Sequence, residues 1–311
     1  MSPRPRRKPR VAVLMSTWNG ARWLPAQLDS LAAQAEVEVL LHARDDGSTG
    51  ETLAVLARYA RRWPALTRVP SGPNLGPAMS FLELLRTAPA GADYYAFCDQ
   101  DDVWRPGKLA RAVAHLAAEP GPALYGSNVT CVAEDLTPLG VPRENADARF
   151  QHLLFENIVY GCTAVMNRAA RELIAARPPE RGVIMHDWWC ALVAAALGRV
   201  IYDPEPGMIL YRQHGGNSVG MDANLMTQTM DQASRFLRTP RGYYRIHAQA
   251  EEILRLYGRD LPAETRARAE ELVGSKRTLA ARARLAFSGR IVRSHLIGDV
   301  IARGLVLAGW Y

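Results

Sequence analysis

The sequence predicts an α/β fold: a mostly parallel sheet flanked by helices, with a helical extension at the C-terminus. Three observations carry this prediction. Short apolar runs alternate with helical periodicity through the first hundred residues, and such runs suit strands buried on both faces of a parallel sheet. Polar and acidic turn-formers follow these runs, as at the carboxyl ends of strands in an open sheet. After about Asp222 the strand pattern stops, and an Arg-rich helical pattern runs to the end.

The elements follow in order. Val11 to Ser16 is a buried strand, and Trp23, Leu24, Gln27, Leu28 and Leu31 mark a helix. Val37 to Ala43 is a second strand, ending in Asp45-Asp46-Gly47-Ser48-Thr49-Gly50 before a helix over about 51–61. A short strand at 67–69, a Gly/Pro/Asn loop at 71–77 and a helix at 78–86 lead to the strand Tyr94 to Cys98. Leu124 to Cys131 reads as one strand, and residues 150–166 mix helix and strand signals. A helix over 187–197 precedes strands at 200–202 and 208–212. The division that results is a basic flexible tail at 1–10, a catalytic domain at 11–220 and a helical region at 221–311.

Composition narrows the class. A hydrophobic content of 48% supplies a full core. The net charge is +7, but its placement is uneven. Five basic residues and no acid occupy the first ten positions, and fifteen basic against seven acidic residues lie from Arg235 onward. The middle is net acidic, which argues against nucleic acid as the partner. Cys98, Cys131, Cys162 and Cys190 form no CxxC pair, so a zinc site is not expected. No apolar stretch precedes Val11, and no run of about 18 apolar residues occurs, so a cytoplasmic chain without an ordinary transmembrane helix is expected.

The chemistry points to carboxylates. Neither GxxxxGK[ST] nor GxGxxG follows the first strand, so a nucleotide bound by this sheet needs a metal. Asp99-Gln100-Asp101-Asp102 follows a buried strand, and its three carboxylates repel one another unless a cation such as Mg²⁺ or Mn²⁺ joins them. An acidic turn capping a helix near Pro106 is the plainer alternative.

The order of several motifs makes a resemblance specific. They are Ser16-Thr17-Trp18-Asn19-Gly20, Asp45-Asp46-Gly47-Ser48, Asn74-Leu75-Gly76, Phe97 to Trp104 with Pro106 and Lys108-Leu109, His186-Asp187-Trp188-Trp189, and Tyr211-Arg212-Gln213-His214-Gly215 with Asn217. Over about residues 11–220 the chain resembles the family 2 glycosyltransferases, within them the rhamnosyltransferase-like branch. The resemblance implies a GT-A fold and an inverting transfer from a nucleotide-sugar donor, dTDP-rhamnose first and a UDP-sugar second. It implies that Ser16 and Trp18 frame the base and ribose, and that Asp46 accepts a hydrogen bond from the base. Asn19, Asn74, Gln100 and Arg212 join the donor site, and Asp99 lies near the ribose. Asp101 and Asp102 hold the metal and diphosphate, His214 contacts either, and Asp187 is the catalytic base. Gly161, Cys162, Thr163, Trp188 and Trp189 would wall the sugar or acceptor pocket.

Each residue keeps a plainer reading. Asp46 can hold its turn, Trp18 can pack, and Asp187 can cap its helix. Ser80 departs from the branch, where a polar amide is usual. Rival classes are a metal-dependent nucleotidyl or phosphoryl transferase, which leaves Asp187 unexplained, and a non-catalytic scaffold, which leaves the acids unexplained. At the C-terminus Leu285, Ile291, Val292, Leu296, Ile297 and Ile301 recur among Arg290, Arg293 and Arg303, and Trp310-Tyr311 closes the chain. That pattern suits a membrane surface, at the inner face of the cell membrane for a glycan or lipid-linked acceptor, or alternatively a homodimer contact.

Overall fold

The computed structural model describes residues 7–69, 72–140, 147–215 and 245–311. Asn217 and the start of the helical region, like the first six residues of the basic tail, lie outside the described residues. A seven-stranded sheet forms the centre, in the order β10-β6-β9-β4-β1-β2-β3. Its strands are β1 (Arg10–Thr17), β2 (Glu38–Asp45), β3 (Leu66–Val69), β4 (Tyr94–Cys98), β6 (Ala123–Ser127), β9 (Val165–Asn167) and β10 (Arg199–Asp203). β1 pairs in parallel with both β2 and β4, so the ends of these three strands lie side by side. Val11 to Met15 are fully buried, as a strand covered on both faces requires. β9 alone runs antiparallel, wedged between β4 and β6.

Helices α1 (Leu24–Ala32), α2 (Thr52–Arg62), α3 (Gly76–Thr87), α4 (Lys108–Leu116), α6 (Arg168–Ala175) and α7 (His186–Leu197) flank this sheet, and α5 (Phe150–Leu153) is one short turn. A second, smaller sheet has the order β5-β11-β7-β8. It joins β5 (Val103–Trp104), β7 (Thr130–Val132), β8 (Pro138–Gly140) and β11 (Ile209–Arg212).

The single strand expected at 124–131 is two strands in different sheets. Asn128 makes the break. Its amide donates to Pro204 O at 2.7 Å, and Tyr202 Oη donates to its carbonyl oxygen at 2.8 Å. A polar side chain buried at this point needs both bonds, and satisfying them turns the chain out of the large sheet. The basic tail is also shorter than expected: Arg10 opens β1, and Arg7 pairs with Asp93 at 2.8 Å.

The C-terminal helices α8 (Ile246–Tyr257), α9 (Ala263–Ser275), α10 (Leu279–Phe287) and α11 (Leu296–Ala308) share the core of the sheet's outer layer. Ile253, Tyr257, Leu272, Leu285, Ile291 and Val306 belong to one buried cluster with Phe81, Trp189 and Leu192. Leu285 and Ile291, expected on a membrane-facing stripe, therefore lie in the core instead. Among the described residues no helix is long and apolar enough to cross a membrane.

Candidate active site

The loops after β1, β2 and β4 form the floor of the site, and their side chains tie them to one another. Thr17 Oγ1 donates to Asp45 Oδ1 at 3.0 Å, and Ser48 N donates to Asp45 Oδ2 at 2.8 Å. Asn19 N donates to Ser48 Oγ at 2.9 Å, while Thr49 N donates to Asn19 Oδ1 at 2.9 Å. Trp18 N donates to Gln100 Oε1, and Gln100 Nε2 donates back to Trp18 O, both at 2.9 Å. Gly20 is required beneath this clasp, because a Cβ there would sit 1.9 Å from Gln100 Oε1.

These bonds fix the loops that carry the expected donor contacts. Asn19 and Gln100 spend their side chains on neighbouring loops, since backbone groups removed from water need partners. Asp46 is buried and ion-paired with Arg44, and it accepts from Leu75 N at 2.9 Å and Gly76 N at 3.0 Å. It thus anchors the start of α3, as its turn reading anticipated. Asn74 Oδ1 accepts from Gly76 N at 2.9 Å. Ser16 Oγ lies 2.7 Å from Ser80 Oγ, which accepts from Arg44 at 2.9 Å. Ser80 therefore joins β1 to the Arg44–Asp46 pair. Trp18 is 54% exposed and leaves its ring open to a ligand.

The acidic turn follows β4. β5 and β11 pair antiparallel, which sets residues 211–214 against it. His214 Nε2 lies 2.9 Å from Asp101 Oδ2. Arg212 Nε donates to Asp101 O at 2.8 Å, and Arg212 N donates to Asp102 Oδ1 at 3.3 Å. Arg212 is buried and also donates to Glu134 O. Its guanidinium thus braces the turn through two backbone carbonyls. Asp102 is buried as well, and its carboxylate, that of Asp99 and the Cys162 thiol lie within 4.8 Å of one another.

Electrostatics sets the character of this turn. Burial, and then the charges of Asp101 and Asp187, push the Asp99 carboxyl upward. Burial, and then Asp101 and Asp99, raise Asp102. Carboxylates that resist ionising together fit a divalent cation, whose charge would remove the repulsion. The Asp99 and Asp102 carboxylates are oxygen ligands of the kind a hard cation takes, and Asp102 Oδ2 is buried with no hydrogen-bond partner among the described residues; the Cys162 thiol is a poorer ligand for such an ion. The Lys108 ammonium, its pKa lowered to about 8 by burial, is a counter-charge near Asp102.

Asp187 opens α7 on the opposite wall. Asn157 Nδ2 donates to its Oδ1 at 3.1 Å, and Trp188 N donates to the same oxygen at 2.6 Å. Burial raises its pKa to about 6. Gly161 faces it: a Cβ there would stand 2.9 Å from His186 Nε2 and 3.4 Å from Asp187 Oδ2. His186 stacks on Phe81 with ring centroids 4.1 Å apart, and burial lowers its pKa to about 3, so it stays neutral.

The other expected wall residues point elsewhere. Trp188 is buried and donates Nε1 to Leu153 O at 2.6 Å, and Trp189 is fully buried in the core. Large apolar faces gain most by leaving water, and here the core takes them. Thr163 Oγ1 donates to Tyr160 O at 2.8 Å, and Cys162 turns inward toward Asp102.

Two contributors escaped sequence reasoning. Trp23, read only as a helical apolar position, stacks on His214 at 5.7 Å and carries Arg212 4.4 Å and Arg22 3.9 Å from its ring centroid. Its sequence signal was the adjacent Arg22 and a position just ahead of Pro25. Asn157, a lone amide in an irregular stretch, gave no signal.

Residues 12–171 match the model of glycosyl transferase family 2. The dTDP-rhamnosyl transferase RfbG of Shigella flexneri is 28% identical over 214 residues, 66% of this chain and 73% of that protein. Staphylococcus aureus TarS, residues 1–349 with UDP-GlcNAc, superposes with a TM-score of 0.54 over 97% of this chain and 91% of that one, at 16% identity. The mannosyltransferase PcManGT of Pyrobaculum calidifontis, with GDP-Man and Mn²⁺, gives a TM-score of 0.51 over 99% and 88%, at 21% identity. These structural likenesses establish the GT-A fold, and with more than half of its length matched by the family model, the chain belongs to glycosyl transferase family 2.

Proposed function

We propose that the chain transfers a sugar from a nucleoside diphosphate donor, dTDP-rhamnose first and a UDP-sugar second, to a hydroxyl of a polysaccharide or lipid-linked glycan, with inversion. The observation that carries this reading is Asp187: a buried carboxylate with a pKa of about 6, fixed by Asn157 and electrostatically coupled to Asp99 across the site. A general base works best with a pKa near the working pH. Asp187 takes the proton of the acceptor hydroxyl as its oxygen forms the new bond to the anomeric carbon. The bond from that carbon to the diphosphate breaks on the opposite face, and the nucleoside diphosphate leaves. One base and one displacement give inversion.

A divalent cation, Mg²⁺ or Mn²⁺, would be held by Asp101 and Asp102, with Asp99 and His214 beside them, and its charge would stabilise the departing diphosphate. Trp18 offers a face to the base, while the tied loops keep that face in place. The 28% identity to a dTDP-rhamnosyl transferase supports the choice of donor. A nucleotidyl or phosphoryl transferase is disfavoured by the family match rather than by Asp187, since an oriented carboxylate can serve either transfer. A lipid-linked acceptor would bring the enzyme to the inner face of the cell membrane.

The test is a thermal-shift screen of dTDP, UDP and their sugars with Mn²⁺, followed by transfer assays on the donors that stabilise. The expected order is dTDP above UDP. Equal stabilisation by GDP or ADP, or none by any nucleotide, would count against the donor class.

A further inference from the structure

We infer that the turn end of the α10–α11 hairpin is a docking surface for an anionic lipid bilayer, placed beside the base-bearing wall of the site. This deepens the lipid-linked acceptor of the proposed function and rests on it for its purpose.

The apolar exposure of the chain is concentrated there. Twelve large apolar side chains are exposed among the described residues, and five of them, Phe287, Val292, Leu296, Ile297 and Val300, lie at this turn or within two helical turns of it. On α11, Leu296 is 79% exposed, Ile297 58% and Val300 63%. Helical geometry puts these three on one face with Gly304 and Ala308. No position of that face is polar, whereas an exposed helix face in a water-soluble domain is normally polar. The opposite face, with Ala302 and Val306, is buried in the core. The uncovered stripe is therefore a second apolar surface on a helix already packed.

The hairpin geometry makes this stripe a tip. Arg303 donates to the carbonyls of Ala286 and Ile291, and Lys276 donates to Gly309 O at 2.9 Å. The two helices thus run antiparallel, with Phe287, 75% exposed, at the same end as Leu296.

Charge selects the occupant. From Lys276 to Tyr311 there are seven Lys/Arg residues and one acid, Asp299. That acid is turned inward onto Arg293 N. Arg290 and Arg293 are paired with Glu271 and Glu156, and Lys276 lies at the far end of the hairpin, so near the turn it is the exposed Arg284 that adds positive charge beside the apolar stripe, a combination that matches an anionic headgroup layer over acyl chains.

The position relative to the site gives the contact its meaning. Ser294 N and Oγ donate to Glu156 Oε2 at 2.6 and 2.7 Å, and Arg293 pairs with the same carboxylate at 3.3 Å. The next residue, Asn157, holds Asp187. The strap that presents the stripe is thus bolted to the segment that orients the base.

Flotation of the full chain with vesicles tests this. Phosphatidylcholine vesicles, with and without a quarter of phosphatidylglycerol, serve as probes. The chain should float with the anionic vesicles, less at high salt, and little with phosphatidylcholine alone. Ile297→Glu with Val300→Glu should reduce the bound fraction at least about tenfold. Arg284→Glu should reduce binding to anionic vesicles only. Both variants should keep the wild-type melting temperature and nucleotide-induced stabilisation. Wild-type flotation by the double variant would overturn the inference. So would no binding by the wild type, or a wild-type dimer that the double variant splits. Because flotation involves no sugar transfer, a failed donor screen with intact flotation sinks the catalytic reading alone.

Discussion

His214 Nε2 and Asp101 Oδ2 meet at 2.9 Å although 113 residues separate them in the chain. The Trp23 ring, stacked on the imidazole, fixes that meeting. Trp23→Leu should therefore raise the Mn²⁺ concentration needed for half-maximal stabilisation by nucleotide, by about tenfold, the range found when support around a metal ligand is lost. Trp23→Phe should largely restore it. Thermal-shift titration with Mn²⁺ reads both, and an unchanged midpoint for the Leu variant would remove Trp23 from the site.

Asp187→Asn should cut transfer by about 10²–10⁴-fold, the usual worth of a general base, with donor binding retained. Since the carboxylate is the active form and titrates at about 6, wild-type kcat/KM should fall tenfold per pH unit below that value and level off above it. The residual rate of the Asn variant should not follow this curve. A pH–rate profile of both forms decides the assignment.

The same residue should trade activity for stability. Its folded pKa of about 6 lies above the ordinary 3.8. The folded state thus binds the proton more tightly, and ionisation costs folding stability as pH rises through about 6. Asp187→Asn removes that cost but sets an amide against Gly161. A net gain of about 2 kcal/mol at pH 8 is expected, vanishing below pH 4. Denaturant melts at the two pH values measure it; a loss at pH 8 would show that the carboxylate is structurally required.

Asp46→Ala should destabilise the chain by about 3–5 kcal/mol, because it strands the buried Arg44 guanidinium. Asp46→Asn should cost less, since the carbonyl oxygen still accepts from the start of α3. Urea unfolding compares them. Equal and small costs would mean that the pair contributes little, leaving Asp46 to the donor base.

The ends of β1, β2 and β4 could be placed from the sequence because apolar runs stop where Asp45 and Asp99 begin, and adjacent parallel strands deliver their ends to one edge. Asp187 is proposed as the base from resemblance and not from any pattern in the residues around it. What Asn19, Gln100 and Asp46 bond could not be placed from the sequence, since their partners are backbone groups of other loops. The reversal of β9 was hidden for another reason: a three-residue strand has no period to detect. Trp188 and Trp189 misled because an aromatic pair beside a base suits a sugar platform and a core equally, and only packing separates the two.

The mutual clasp of the β1, β2 and β4 loops has a consequence for how a donor arrives. With Gln100 closed on both backbone polar groups of Trp18, and Asn19 holding both Ser48 and Thr49, the floor is ordered when the chain folds. A nucleotide therefore meets a preorganised surface, and little of its binding free energy goes to freezing loops. Donor capture should behave as a rigid encounter, fast and with small structural relaxation, so that selectivity among nucleotides is decided by fit at the moment of contact.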